Sequence, residues 1–363
     1  MKLDCRQPLG PRFLAAVQSS VTRFLDTQRD LLALTGDRLD PVWDQAVHFT
    51  EGGKRIRPAF CYWAYVAAAG ADAEPTRAVM DIAASLDLLH VSALIHDDLI
   101  DLSDTRRGGP SAHRFFEDLH RDSQWGGDSE HFGRSAALLI GDLLLAWSVS
   151  MVEQSSMSAE KLKRARPYLD AMRVEVLAGQ YLDLIHQAKP VSRPDLLREA
   201  GLVMGFKTAK YTVARPVQIG AALGLASDDV QQGLSLFGTH VGYAFQMRDD
   251  LLGLFGDPQV TGKPSGDDVR EGKKTVVIGY AMREASPADA ERLTQMLGDP
   301  SLTQTDIDEV RRILVESGAV ECTEKAIVNE ASSGMKYLHQ LDLDPQGTYA
   351  LATLVHAAVE RTA

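Results

Sequence analysis

Cysteine is scarce in this chain of 363 residues: Cys5, Cys61 and Cys322 are all it has. An odd number at such wide spacing excludes a disulfide framework and offers no zinc-ligand pattern. A reducing compartment, the cytoplasm, is the natural reading. Aromatic residues make up only 7%, and no segment alternates apolar and polar residues as a half-buried strand would. No Asn-Gly pair marks a hairpin. Positive charge is also in deficit. Lys and Arg number 38 against 50 Asp and Glu, a formal net charge of −12. Nucleic acid is thereby a poor partner, because phosphate contact needs a basic footprint. The N-terminal MKLDCRQPLG has no apolar signal core. The most apolar run, residues 136–147, is broken by Asp142 and is too short to cross a bilayer. No transmembrane segment is expected.

What the sequence does have is helical periodicity. Across residues 77–100, apolar side chains recur at Val79, Ile82, Ala83, Leu86, Leu89, Ala93 and Leu94, near a 3.6-residue period. Comparable stretches run at roughly 11–34, 56–70, 134–155, 159–187, 193–223, 226–254, 274–284, 304–316, 319–340 and 346–361. The expectation is an all-α protein, a single large helical bundle without a sheet, with residues 1–363 as one domain. Two stretches read as loops: the polar 118–133 and the Gly-, Pro- and Asp-rich 256–272. His113, His120 and His131 read as satisfied or solvent-exposed histidines with no chemical role.

Negative charge is concentrated in two places. Asp97 and Asp101 stand four residues apart, on one helix face, with Asp98 beside them. Like charges at that spacing repel, and the end of a helix is the wrong place for an anion. A cation resolves both problems. Carboxylate oxygens suit magnesium, which keeps waters and shares substrate phosphates instead of requiring a full protein cage. Arg106 and Arg107 follow at once, and guanidinium groups hold phosphate oxygens bidentately. The second pair is Asp249 and Asp250 in FQMRDD; four residues beyond Asp249 stands Gly253, not a third aspartate. Asp257, Lys263, Asp267, Asp268 and Lys273 come shortly after. Lys54 and Arg57 in GGKRIRP, and Lys207 and Lys210 in FKTAK, complete the basic set. Singly each would be a surface charge. Jointly they fit an anionic substrate carried by magnesium.

GGKRIRP, HDDLIDLSDTRRG, GQYLD, FKTAK, FQMRDDLLGLFGD and TGK occur in that order. Over roughly residues 50–275 the chain resembles the trans-isoprenyl diphosphate synthase (polyprenyl synthetase) family. Residues 267–275 are similar to actinobacterial members that make geranylgeranyl or longer diphosphates. The resemblance implies an isoprenoid-synthase bundle around a central cavity, with the two acidic motifs facing one another. It implies head-to-tail condensation of isopentenyl diphosphate with an allylic diphosphate (dimethylallyl, geranyl or farnesyl), in a homodimer with three magnesium ions. It makes Asp97, Asp101 and Asp249 metal ligands, supported by Asp98 and Asp250. Lys54, Arg57, His90 and Arg107 match the isopentenyl diphosphate pocket. Arg106, Lys207, Lys263 and Lys273 match residues holding the allylic diphosphate. Gln180, Thr208 and Gln246 match polar groups near the reacting carbon, and Asp183 an acid close to the metals. Gly253 is the departure, and Asp257 or Asp268 are the carboxylates at hand to compensate. In the family, a bulky aromatic four or five residues before the first motif shortens the product. Here those positions are Ala93 and Ser92, with Leu89 and Ser85 as deeper floors. A geranylgeranyl product is expected, with a longer polyprenyl chain as the alternative. A class I terpene cyclase would lack GGKRIRP, and a non-catalytic subunit would have lost the aspartates.

Overall fold

Capping chemistry sets where several of these helices begin. The computed structural model describes residues 3–70, 73, 76–256 and 266–359. Pro11, whose missing N–H costs nothing in a first turn, opens α1 (Pro11–Leu32). A 3-10 turn (Ala33–Leu39) leads to α2 (Asp40–Thr50), α3 (Ile56–Ala69) and α4 (Arg77–Ile100). After α5 (Ala112–Asp122), the Asp128 side chain accepts from the backbone N–H groups of Glu130 and His131 and starts α6 (Ser129–Glu153). Then come α7 (Ala159–Ala188), α8 (Leu196–Met204), a π-helical segment (Gly205–Ala214), α9 (Arg215–Leu223) and α10 (Asp228–Phe255). Beyond these lie α11 (Asp267–Arg270), α12 (Val276–Glu284), α13 (Pro287–Met296), α14 (Gln304–Glu316), α15 (Ala319–His339) and α16 (Pro345–Val359). Thr303 and Asp306 form a reciprocal capping box at the head of α14.

The chain folds into two compact units. The first comprises Met1–Pro167, Pro216–Gln231 and Leu343–Leu354; the second comprises Tyr168–Arg215, Gln232–Asp342 and Val355–Ala363. Two of the boundaries fall at prolines, Pro167 within α7 and Pro216 at the start of α9, residues that withhold a backbone donor. In the first unit α4 is the core helix. Its Val79, Ile82, Leu86, Leu88, Val91 and Ile95 are each at most 2% exposed, and α4 packs against α6, α3 and α1. Each such side chain contributes about 1.5–3 kcal/mol by burial. In the second unit α12 packs on α15 and α8.

The all-α reading is correct, with four local differences. Residues 118–133 are not a loop: α5 and α6 occupy most of them, leaving only a short connection. There Trp125 and Phe132 pack on the buried ring of His120 at centroid distances of 5.9 and 5.2 Å, and this apolar content was masked by the polar residues around it. The 193–223 stretch is interrupted by the π segment. Helices over 40–50, 112–122 and 287–296 had no periodic signal strong enough to read. A two-residue antiparallel pair also exists, β1 (Thr105–Arg106) with β2 (Gly109–Pro110). Its turn places both Arg107 (φ 54°) and Gly108 (φ 78°) in the left-handed region, the two-residue turn that matches strand twist. An arginine in that position is what hid the hairpin.

By length and composition alone, α4 and α6 are each apolar enough to cross a membrane. The helix that contains residues 136–147 runs to 25 residues, longer than the apolar run itself. The apolar window of α4 is 78% buried, which accounts for its hydropathy as core; that of α6 is 44% buried.

Candidate active site

In the first unit, the basic motif and the first acidic motif are built around α4. Its last turn carries Asp97 and Asp101, both half-buried, the Asp101 N–H donating to Asp97 O at 2.8 Å. Asp98 points elsewhere. It is 1% exposed, and the Arg106 Nε donates to its two oxygens at 3.0 and 2.9 Å, with Nη2 adding a further contact. The neighbouring aspartates therefore differ in setting: Asp98 anchors an arginine, whereas Asp97 and Asp101 share the partly open face. One residue earlier, the His96 ring lies against α6, where a Cβ at Gly141 would fall 2.1 Å from its Nε2. That nitrogen lies 3.2 Å from Leu138 O.

Two turns back on α4 is His90. Burial lowers its pKa well below the ordinary imidazole value, and Arg57, Arg107, Arg106 and Arg55 push it the same way. Four guanidinium groups thus converge electrostatically on a neutral ring. Arg107 reaches across from the hairpin, its Nη1 donating to Phe49 O at 2.7 Å and to Glu51 O. Lys54 is exposed and Arg57 half-buried. Along the same helix, Ser85, Leu89 and Ser92 are buried at 1%, 3% and 2% exposure, and Ala93 is half-buried.

In the second unit, the π segment organises the other set. The backbone of α7 comes so close that a Cβ on Gly179 would meet Lys207 N at 2.3 Å. On α10, Gly238 and Gly242 would meet Ala214 Cα at 2.4 Å and Ala209 O at 2.5 Å. Only glycine permits these approaches, and π turns occur disproportionately at functional sites. The contact brings Asp183 of GQYLD to Lys207, Oδ2 to Nζ 2.7 Å. Gln180 and Thr208 are half-buried on the two contacting elements. Lys210 and Arg215 share Glu175, with the Arg215 Nε 2.7 Å from Glu175 Oε2.

The end of α10 carries Gln246, Asp249 and Asp250. Asp250 is buried, and burial raises its pKa to about 8, with Asp268 and Asp249 adding to the rise and Gln246 and Lys273 opposing it. The Gln246 amide donates to Asp250 Oδ1 at 2.7 Å. Asp268 is the residue the sequence singled out only loosely. A Cβ built at Gly253 would lie 3.1 Å from its Oδ2, so its carboxylate stands where the missing third aspartate would begin. Lys273 Nζ is 3.4 Å from Asp268 Oδ1 and also contacts Glu271. Lys263 and Asp257 lie outside the described residues.

These donors fit magnesium. They are oxygens only, and they include carboxyl groups whose mutual repulsion a cation would relieve. Among the described residues no three His, Cys, Asp or Glu side chains form a metal cage by themselves.

A helical scaffold that presents paired carboxylates, guanidinium groups and a lysine beside a π turn is suited to diphosphate esters. The class this defines is the prenyltransferases of isoprenoid biosynthesis. Residues 42–314 match the polyprenyl synthetase family model, and the chain belongs to that family. It is 32% identical over 300 residues to a geranylfarnesyl diphosphate synthase of Aeropyrum pernix, covering 81% of this chain and 85% of that one. It is 29% identical over 344 residues to a (2E,6E)-farnesyl diphosphate synthase of Mycobacterium tuberculosis, covering 90% and 88%. The crystal structure of a geranylgeranyl pyrophosphate synthase from Corynebacterium glutamicum, in complex with isoprenyl diphosphate and magnesium, is similar at TM-score 0.92. The two are 39% identical, with 99% of this chain and 100% of that one covered.

Proposed function

We propose that the protein condenses isopentenyl diphosphate head-to-tail with an allylic diphosphate, giving an all-trans product of twenty carbons, geranylgeranyl diphosphate. The observation that carries the reading is the placement of Arg107 beside the GGKRIRP motif of Lys54 and Arg57, where it bonds Phe49 O and Glu51 O and a Cβ on Gly53 would lie 3.4 Å from its Nη2, with His90 two turns before Asp97 on the same face of α4. A terpene cyclase has no use for a second diphosphate site of this kind. The intact first acidic motif argues equally against a non-catalytic subunit.

In this reading Asp97, Asp101 and Asp249 would hold magnesium, with Asp250 and Asp268 in support. Three ions are the expected complement. When bound, magnesium neutralises the departing diphosphate as a Lewis acid. Arg106, Lys207, Lys263 and Lys273 set positive charge where negative charge develops on the allylic leaving group. Lys54, Arg57 and Arg107, with His90 as a neutral hydrogen-bonding ring, hold isopentenyl diphosphate so that its double bond meets the allylic carbon. Such orientation supplies up to about 7–11 kcal/mol of a barrier. Gln180, Thr208 and Gln246 face the developing positive charge with their dipoles, and the released diphosphate takes the proton.

The small Ser92 and Ala93 upstream of Asp97 support a pocket deeper than a farnesyl chain requires, with Leu89 and Ser85 as its floor. The relatives include farnesyl, geranylfarnesyl and nonaprenyl diphosphate synthases, so the length proposed here rests on these pocket residues alone. We further propose that residues 1–363 act as one domain, because each unit is assembled from three separate chain segments. A cytoplasmic homodimer completes the proposal. Its support is the exposed apolar residues on α6 (Leu138, Leu139, Val149) and on α7 (Val174, Leu177, Tyr181), which a second copy would cover. The deciding experiment is incubation of the purified chain with magnesium, isopentenyl diphosphate and each allylic primer, followed by chromatography of the products. A C20 diphosphate is expected. A cyclic hydrocarbon, or no product without another subunit, would reject the reading, and a C15 end product would reject the chain length.

A further inference from the structure

Arg55 sits between Lys54 and Arg57 in the basic motif, yet it turns the opposite way. Lys54 is exposed, whereas Arg55 is 4% exposed. Its guanidinium forms an ion pair with Asp87 of α4, itself 5% exposed. Its Nη2 also donates to Gln18 Oε1 of α1 at 2.6 Å and to Thr50 O at 2.5 Å. Arg107 donates to the carbonyls on either side, Phe49 O and Glu51 O. Three successive carbonyls at the end of α2, which no helical N–H can reach, are thus each taken by a guanidinium group.

The loop between α2 and α3 needs this support. Gly52 (φ 69°), Gly53 (φ 85°) and Arg55 (φ 50°) all lie in the left-handed region within four residues. For a residue with a side chain that conformation is sterically costly and persists only where the surroundings impose it. Asp87 stands three residues before His90, one turn along the same helix. The Arg55–Asp87 pair therefore links the loop that carries Lys54, and the first turn of α3 that carries Arg57, to the turn that carries His90.

We propose that Arg55, through Asp87, is a positioning residue that fixes Lys54 and the first turn of α3, with Arg57, against His90 and so sets the affinity for isopentenyl diphosphate. The inference rests on the reading that these residues bind that substrate. A pair that merely fills the core makes a different prediction, and Arg55→Met, Asp87→Leu and the double variant separate the two. Removing one partner leaves a buried charge and destabilises, whereas removing both restores an apolar contact. The double variant is expected to recover most of the melting temperature lost by either single variant. Its KM for isopentenyl diphosphate should nonetheless stay raised by about tenfold or more, with kcat and the allylic KM within about twofold of wild type. Recovery of both stability and wild-type KM would overturn the proposal. Should the double variant not fold, Arg55→Lys retains the charge but not the fork. It is expected to raise the same KM, and an unchanged KM there overturns the proposal equally. Wild-type enzyme assayed alongside tests the underlying reading. If wild type shows no turnover, that reading fails. Calorimetric binding of inorganic pyrophosphate to the same variants then decides the positioning role: weakened binding supports it, and unchanged binding rejects it.

Discussion

Asp97 and Asp98 are adjacent in the chain and opposite in circumstance. Asp98 is buried under Arg106, so Asp98→Ala leaves a guanidinium without its bidentate partner and should cost about 3–5 kcal/mol of stability. Asp97 stands on the partly open face of the last turn of α4, where another carboxylate one turn on repels it. Asp97→Ala should therefore cost less than about 1 kcal/mol while lowering turnover by roughly 100-fold or more. Urea unfolding and steady-state assay of both variants check the contrast. Equal loss of stability in the two, or near-normal turnover of the Asp97 variant, would contradict it. The sequence made both residues candidates because they share a motif. It could not distinguish them, since the partner that claims Asp98 arrives from a hairpin eight residues later. Asp268 was obscure for a related reason: its place beside Gly253 depends on how the chain returns after α10, which no spacing encodes.

Helices announce themselves when one face is apolar, and α4 did so over its whole length. The π segment did not, because its residues are as apolar and helix-compatible as those flanking it. What holds it is the close approach of Gly179 on α7 and of Gly238 and Gly242, one turn apart on α10, neither of which adjoins the segment in sequence. The helices at 112–122 and 287–296 are short and rich in charge, so their buried stripes were too narrow to stand out. On α4, Ser92 is 2% exposed. Ser92→Phe should shorten the main product, to fifteen carbons if wild type makes the proposed twenty, as read by chromatography. If length is unchanged while stability falls by about 1–3 kcal/mol, the serine serves close helix packing instead.

At the scale of the whole molecule, the exposed leucines of α6 give the homodimer proposal a simple check. Leu139 is 67% exposed. Leu139→Glu should convert a dimer to a monomer in light scattering, with helix content in circular dichroism unchanged. A dimer that survives this change together with Leu138→Glu would mean that the contact lies elsewhere. The all-α class and the family were open to reading from periodicity and ordered motifs; the division into two units was not, because all but one of their boundaries (342/343) fall inside helices. That division has a bearing on how the protein is born. The first unit includes residues 343–354 as well as 1–167, so its earliest helices emerge from the ribosome long before their final neighbour is translated. At about 5–20 residues per second, the intervening stretch takes roughly 10–35 s to synthesise. Throughout that delay the Ala67 end of α3, which takes the Asp344 N–H at 2.8 Å and against which Gly347 packs, stays uncovered by α16, which makes the nascent chain a natural client for chaperones.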